Sequence, residues 1–426
     1  MSNNILKELP ELLSNGIITD EVAAKITDYY KRKASTNPNR LFTIFGILGA
    51  ILGGLGIILI VAHNWDDFSI TTKTVVAFIP LVLGQVACWY TLNKLPNSIT
   101  WKESSATFLV FAIAATISLI AQIYNLPEDM EGFLLTWIVL SLPLVYIMRS
   151  SFTSLLAILG IVWYCSEAHY DYPKSNGWIH WLLLLTLVPH YYNLIKNHPS
   201  SNFTRFHHWF FAGSLLFCLP SISKEPNTLM LIGFASLLAI FYLIGKQNFF
   251  LNNNQNRNAY WLIGKAGTLF LLFILSFKFP WNEIGRENEK VNQLDSLVWI
   301  TLFITAIVLL YMHLKKTKLL KINPVSLGFV LITILYSLAG NENAFIITVV
   351  NIFVLAIGVT EIRNGAESNS LYKLNFGLLI ISILTICRFF DTNMSFVVRG
   401  VLFIGIGLGF FLMNYYLLKK RKQNEN

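Results

Sequence analysis

The segment Leu41–Asp67 reads LFTIFGILGAILGGLGIILIVAHNWDD, and its first 22 residues, Leu41 to Ala62, carry no charge. At about 1.5 Å of rise per residue they cross a hydrocarbon layer of roughly 30 Å, so the segment is a transmembrane helix. Gly46, Gly49, Gly53 and Gly56 follow at spacings of three, four and three. A helix stacks them into a ridge free of side chains, on which a second helix can pack backbone to backbone. This predicts a central span, with the other 13 apolar segments packed around it. Just beyond it His63, Asn64, Trp65, Asp66 and Asp67 crowd one membrane boundary.

The whole chain agrees with that segment. Of its 426 residues 54% are hydrophobic and 13% charged, with a mean hydropathy of +0.56. Soluble domains carry about 25% charged residues, so this is a membrane protein, an all-α polytopic transmembrane helical bundle. Three parts are expected: a cytoplasmic helical hairpin over 1–40, a transmembrane domain over 41–418 and a basic tail over 419–426. In the head, Pro10 suits the first turn of a helix ending at Gly16. Thr19 suits the cap of a second helix that opens with Asp20 and Glu21. Val22, Ile26 and Tyr29 then share a face that can dock on the membrane domain, a protein partner or a second copy.

Beyond 41–62, helices are predicted near 72–92, 104–124, 132–148, 152–165, 178–195, 206–221, 227–244, 260–279, 296–314, 324–339, 344–360, 374–389 and 396–418. With this even number of spans, both termini share a side, and that side collects 23 lysines and arginines against 6 on the other. The bias predicts cytoplasmic termini and accounts for most of the formal charge of +9. Acidic residues run the other way, 14 of 23 falling in outer loops and none mid-membrane. Lys265, a turn and a half inside its helix, is expected to snorkel to the interface.

Motif chemistry is sparse. No Walker loop, GxSxG elbow or HExxH helix occurs, and nothing suggests a cofactor or a nucleic-acid partner. Cys88, Cys165, Cys218 and Cys387 stand singly in apolar segments, without a CxxC, and read as isolated packed thiols instead of metal ligands. His180, His190, His207, His208 and His313 sit near helix ends among Trp178, Trp181, Tyr191, Tyr192, Trp209 and Tyr311, as an interfacial belt would place them.

Three outer turns hold the candidate ligand-binding residues. They are His63, Asn64, Trp65 and Asp66 after the first span; Gln122, Tyr124 and Asn125 after the third; and Arg388, Asp391 and Arg399 in RFFDTNMSFVVR between the last two. One reading makes them a polar outward pocket, with the arginines holding an acidic group and the aromatics lining an apolar part. The other makes His63 and Asn64 helix caps, Trp65 and Tyr124 belt residues, and Arg388 the partner of Asp391.

Several of these residues also carry a resemblance. The head GIITDEVAAKITDYY, the turns AHNWD and AQIYN, and LSLPL in the fourth span resemble a bacterial membrane family catalogued as domain of unknown function 2157. The similarity covers residues 10–160, and the RFFD segment looks like the C-terminal ends of related members, while 170–370 offers no motif. The resemblance implies a multi-span protein of the bacterial cytoplasmic (inner) membrane and brings no established activity.

The leading functional reading is a non-enzymatic membrane protein that binds or moves a small or lipid-like, anionic or amphiphilic ligand from the outer face, alone or within a membrane complex. A membrane-embedded glycosyl or lipid transferase would use Asp66 and Asp67 as base or metal ligands. A scaffold or sensor would dock through residues 1–40.

Overall fold

A computed structural model describes the chain apart from residues 1, 37–39, 64–67, 172–177, 224–227, 253–257, 285–292, 317–322, 340–342, 392–396, 398–399 and scattered positions beyond 401. Some helical side chains, among them those of 40–43, 60–63 and 389–391, also lie outside the description. Among the described residues every element is helical. In chain order they are α1 Ser2–Ser14, α2 Asp20–Thr36, α3 Arg40–His63, α4 Ile70–Lys94, α5 Ile99–Ile123, α6 Met130–Ile147, α7 Ser151–Ser166, α8 Ile179–Asn197, α9 Asn202–Cys218, α10 Met230–Gly245, α11 Asn248–Asn252, α12 Ala259–Leu275, α13 Phe279–Ile284, α14 Gln293–Lys316, α15 Gly328–Ser337, α16 Asn343–Glu367 and α17 Leu371–Asp391. Each apolar segment from 41 to 389 is therefore helical where the sequence puts it. Among the described residues seven helices are long and apolar enough to cross a membrane, and Ile44–Gly53 within α3, as well as α10, α12 and Pro324–Ser337, are shorter apolar stretches.

Local chemistry sets the ends. Ser69, Ser98, Asp129, Ser201 and Asn258 each accept a backbone N–H of the helix they precede, the usual use of such side chains at an N-cap. At the other end, Gly16 closes α1 at φ +68°, with Ile17 N–H donating to Leu12 O at 3.0 Å. Pro10 lies inside α1 instead of at its start, because the helix already begins at Ser2.

The chain divides into two compact units, Met1–Tyr164 and Cys165–Asn426. In the first, α5 is the central helix, packed on α3, α4 and α6. Its buried stripe includes Ser105, Ala106, Thr107, Ala112, Ala115 and Thr116, small residues that let neighbours come close without a hydrophobic drive between them. Thr116 Oγ1 donates to Ala77 O of α4 at 2.9 Å, and Trp137 Nε1 of α6 donates to Val110 O at 2.8 Å.

The expected centrality of α3 is corrected. Leu52 and Leu59 are 63% and 70% exposed, and among the described residues Gly46 alone of the ridge glycines meets a neighbouring helix closely. A Cβ there would lie 2.7 Å from Ser104 Oγ, whereas Gly49, Gly53 and Gly56 have no described atom within 4 Å. Close backbone crossings occur in the second unit: a Cβ on Gly264 would sit 2.4 Å from Tyr242 N, and one on Gly377 2.6 Å from Gly358 O. These glycines join α12 to α10 and α17 to α16.

Candidate functional site

The outer turns come first. Asn64, Trp65, Asp66, Asp67 and Arg399 lie outside the described residues, as do the side chains of His63 and Asp391. Gln122, Tyr124 and Asn125 close α5. Asn125 adopts φ 48°, its N–H points to Gln122 O at 3.4 Å, and Leu126 N–H donates to Ala121 O at 2.9 Å. That pair of bonds is a Schellman closure with asparagine in the left-handed position. Tyr124 is exposed, with its hydroxyl 3.2 Å from Thr74 Oγ1. Arg388, on α17, donates from Nη2 to Ser276 Oγ at 3.2 Å, at the end of α12, and lies 5.2 Å from the Phe277 ring. A cation there complements the carbonyl end of α12.

Polar groups concentrate elsewhere, inside the second unit. Asn258 opens α12 by accepting Trp261 N–H at 2.9 Å while its Nδ2 donates to Gly245 O at 2.8 Å, which ties the start of α12 to the end of α10. With the two backbones pressed together at Gly264, the next residue, Lys265, is held within the bundle at 6% exposure. Its Nζ lies 2.8 Å from Glu361 Oε1 and over the rings of Phe376 (4.3 Å) and Trp261 (5.1 Å). It does not snorkel. A desolvated ammonium needs a counter-charge, and Glu361, 96 residues on, supplies it.

Glu361 is placed from both sides. Gly358 and Gly365, three residues before and four after it on α16, bring α17 to backbone distance. Asn323 uses Oδ1 to cap the short Pro324–Leu327 turn and turns Nδ2 to Glu361 Oε1 at 2.6 Å. Above this pair, Lys246 Nζ sits 4.5 Å from the Tyr242 ring, and the buried Tyr242 hydroxyl has no hydrogen-bond partner. Burial, reinforced by Lys265 and Lys373 and opposed by Glu361, pulls the Lys246 ammonium down to about 8. Lys246 thus feels two further lysines as well as Glu361, so positive charge gathers around this pair.

The histidine belt is also corrected. Trp178, Tyr192, Trp209 and Tyr311 are exposed as belt residues should be, but His180, His190, His207 and His208 are buried. Tyr191 hydroxyl bonds His208 Nδ1 and lies 2.7 Å from Tyr260 hydroxyl, so it links α8 to α9 and α12, while His207 Nδ1 donates to Phe203 O at 2.7 Å within α9. Nor are all four cysteines isolated, for Cys165 and Cys218 meet beside His180. Sequence spacing reports where a residue lies along a helix, and for these residues the partner on another helix decides the role.

Several apolar helices of spanning length, and no other kind of element among the described residues, define a polytopic helical membrane protein. Residues 10–154 are similar to the family model described as "Predicted membrane protein (DUF2157)", the stretch in which the head motif and the turns after the first and third spans lie. Comparison with curated proteins and with solved structures returns no match.

Proposed function

We propose that this protein binds or moves a small or lipid-like anionic ligand in a bacterial cytoplasmic membrane, with both termini inside. The observation that carries this reading is the buried Lys265–Glu361 pair with Asn323 and Lys246 beside it. Ionisable groups inside a membrane bundle are costly, and they mark ligand and ion paths more often than they add stability. Here Glu361 occupies the cation that an incoming anionic group would take. The charge bias assigns this end of the bundle to the cytoplasmic boundary. The outer turns His63 to Asp66 and Gln122 to Asn125 stay candidate ligand contacts in this reading, as, separately, do Arg388 to Arg399.

Native mass spectrometry of the purified chain, offered phosphatidylglycerol beside phosphatidylcholine in detergent, tests it. Wild type should retain the anionic lipid preferentially. Lys265→Met should abolish that preference, and Glu361→Gln, which frees the ammonium, should strengthen it. Equal loss of thermal stability in both variants with an unchanged lipid preference would reduce the pair to a structural clamp.

A further inference from the structure

Cys165 stands in the last turn of α7, ahead of a π-helical turn over Glu167–Asp171; His180 opens α8; Cys218 ends α9, where the chain passes into the 3-10 turn Leu219–Ile222. Three helix ends therefore meet at one end of the second unit. One donor atom from each side chain, two sulfurs and an imidazole nitrogen, lies within 4.8 Å of the others, and all three residues are buried. Both cysteines are free thiols.

Ser221 fixes the imidazole. Its Oγ lies 2.6 Å from Cys218 O and 2.7 Å from His180 Nε2. A carbonyl only accepts, so the single hydroxyl proton goes to Cys218 O, and Nε2 must carry the hydrogen of the second bond. Nδ1 is then the unprotonated nitrogen, and it is buried with no hydrogen-bond partner. A ring whose one N–H is anchored and whose other nitrogen keeps a free lone pair is the form in which histidine binds metals.

We infer that Cys165, His180 and Cys218 form a binding site for a thiolate-preferring divalent cation of the zinc class. Tetrahedral zinc, with bonds of about 2.3 Å to sulfur and about 2.0 Å to nitrogen, needs donors roughly 3.5–3.8 Å apart, a closure within reach of side-chain rotation from the distances here. Charge selects the ion as well. Two thiolates and a neutral imidazole balance a dication, whereas a monovalent ion would leave a buried net charge. Three protein ligands leave a fourth position open. Because the ligands come from three helix ends, bound metal would staple α7, α8 and α9 together and stabilise the fold through linkage.

The full chain, purified in detergent under reduction and incubated with Zn2+, should hold one zinc per chain after desalting. It should show near-ultraviolet thiolate-to-metal absorption when Co2+ is substituted, and it should unfold at lower temperature once chelated. Cys165→Ser and Cys218→Ser should reduce zinc to background, while Cys88→Ser, altering a buried thiol of α4, should leave it unchanged. His180→Gln keeps a donor toward Ser221 without the ring nitrogen, so it should weaken binding at least tenfold with the chelated protein as stable as wild type. Ser221→Ala should cost about 10–100-fold in affinity, as loss of an anchoring partner does elsewhere. Reduced wild type that takes up no zinc, zinc retained in Cys165→Ser, or a Cys165–Cys218 disulfide in freshly prepared protein would each overturn the site.

Discussion

The two units use the same ingredients for different ends. In Met1–Tyr164 polar side chains close helices or bond a neighbour's backbone, as Thr116 and Trp137 do: Asn125 ends α5, Asp129 opens α6, and Glu103 of α5 accepts the backbone N–H groups of Ser151 and Phe152 at 2.9 and 3.0 Å, capping α7 from outside. In Cys165–Asn426 they face one another between helices, as Lys265 with Glu361 and Tyr191 with His208 and Tyr260. Glycines divide similarly. The regular ridge of α3 is largely open, while Gly264, Gly358 and Gly377 stand where two backbones cross. Recognisable motifs and reactive chemistry thus fall in different halves: the family match ends at residue 154, before any of these interhelical clusters begins.

The sharpest way to break this contrast is Gly264→Leu. The new side chain would start 2.4 Å from backbone atoms of Tyr242, which cannot yield as a flexible side chain can, so α12 must leave α10. Folded protein should be lost, measured as monodisperse yield and thermal unfolding in detergent; near-normal stability would mean that α10 and α12 have room to part.

Next comes a pair on the ridge itself. Gly46→Leu would meet Ser104 and Thr100 of α5 and should cost about 1–3 kcal/mol as overpacking does, while Gly53→Leu should stay within about 0.5 kcal/mol. If Gly53→Leu proves the worse of the two, the open face of α3 is covered in the membrane and the ridge reading returns.

Why was one ridge over-read and the other crossings missed? The 3-4-3 spacing of α3 states that its glycines share a face, but the packing partner, α5, was itself rich in alanine, serine and threonine and could receive three helices at once. Gly264 has only Gly267 beside it and Gly377 stands alone in its segment, and nothing local marks the backbone opposite them. The same limit hid the chemistry. Lys265 is legible as a lysine close to a helix end, but nothing local singles out Glu361, and their pairing spans 96 residues. Helix positions, by contrast, depend on hydropathy and caps written locally, which is why the expected segments match helices within a few residues.

A smaller effect is expected at Asn125. Its φ of 48° suits asparagine and glycine, so Asn125→Ala should cost about 1–2 kcal/mol and Asn125→Gly almost nothing, with any ligand phenotype tracking stability. A functional loss in both variants at unchanged melting temperature would move Asn125 from helix closure to ligand contact.

The remaining effect concerns pH. Lys246 has a folded-state value near 8 against an ordinary 10.5, so the fold disfavours its charged form, and that cost disappears as pH rises from about 8 towards 10.5. Relative to Lys246→Met, wild type should therefore gain stability across this window. Parallel thermal-unfolding curves for the two proteins would show that Lys246 is solvated like a surface lysine and that the second unit buries less charge than its geometry requires.

Glu103 bears on the order in which the chain is made. Its carboxylate is satisfied by Ser150, Ser151 and Phe152, which leave the ribosome 47 to 49 residues later, after the whole of α6. Until then a buried-to-be anion rides on α5 with no partner, and the first turn of α7 has no carboxylate. Helices delivered to the bilayer one by one would strand both halves, so α5, α6 and the start of α7 must be handed over together. Chains truncated at Ile147 should linger with the insertion machinery, and chains extended through α7 should be released.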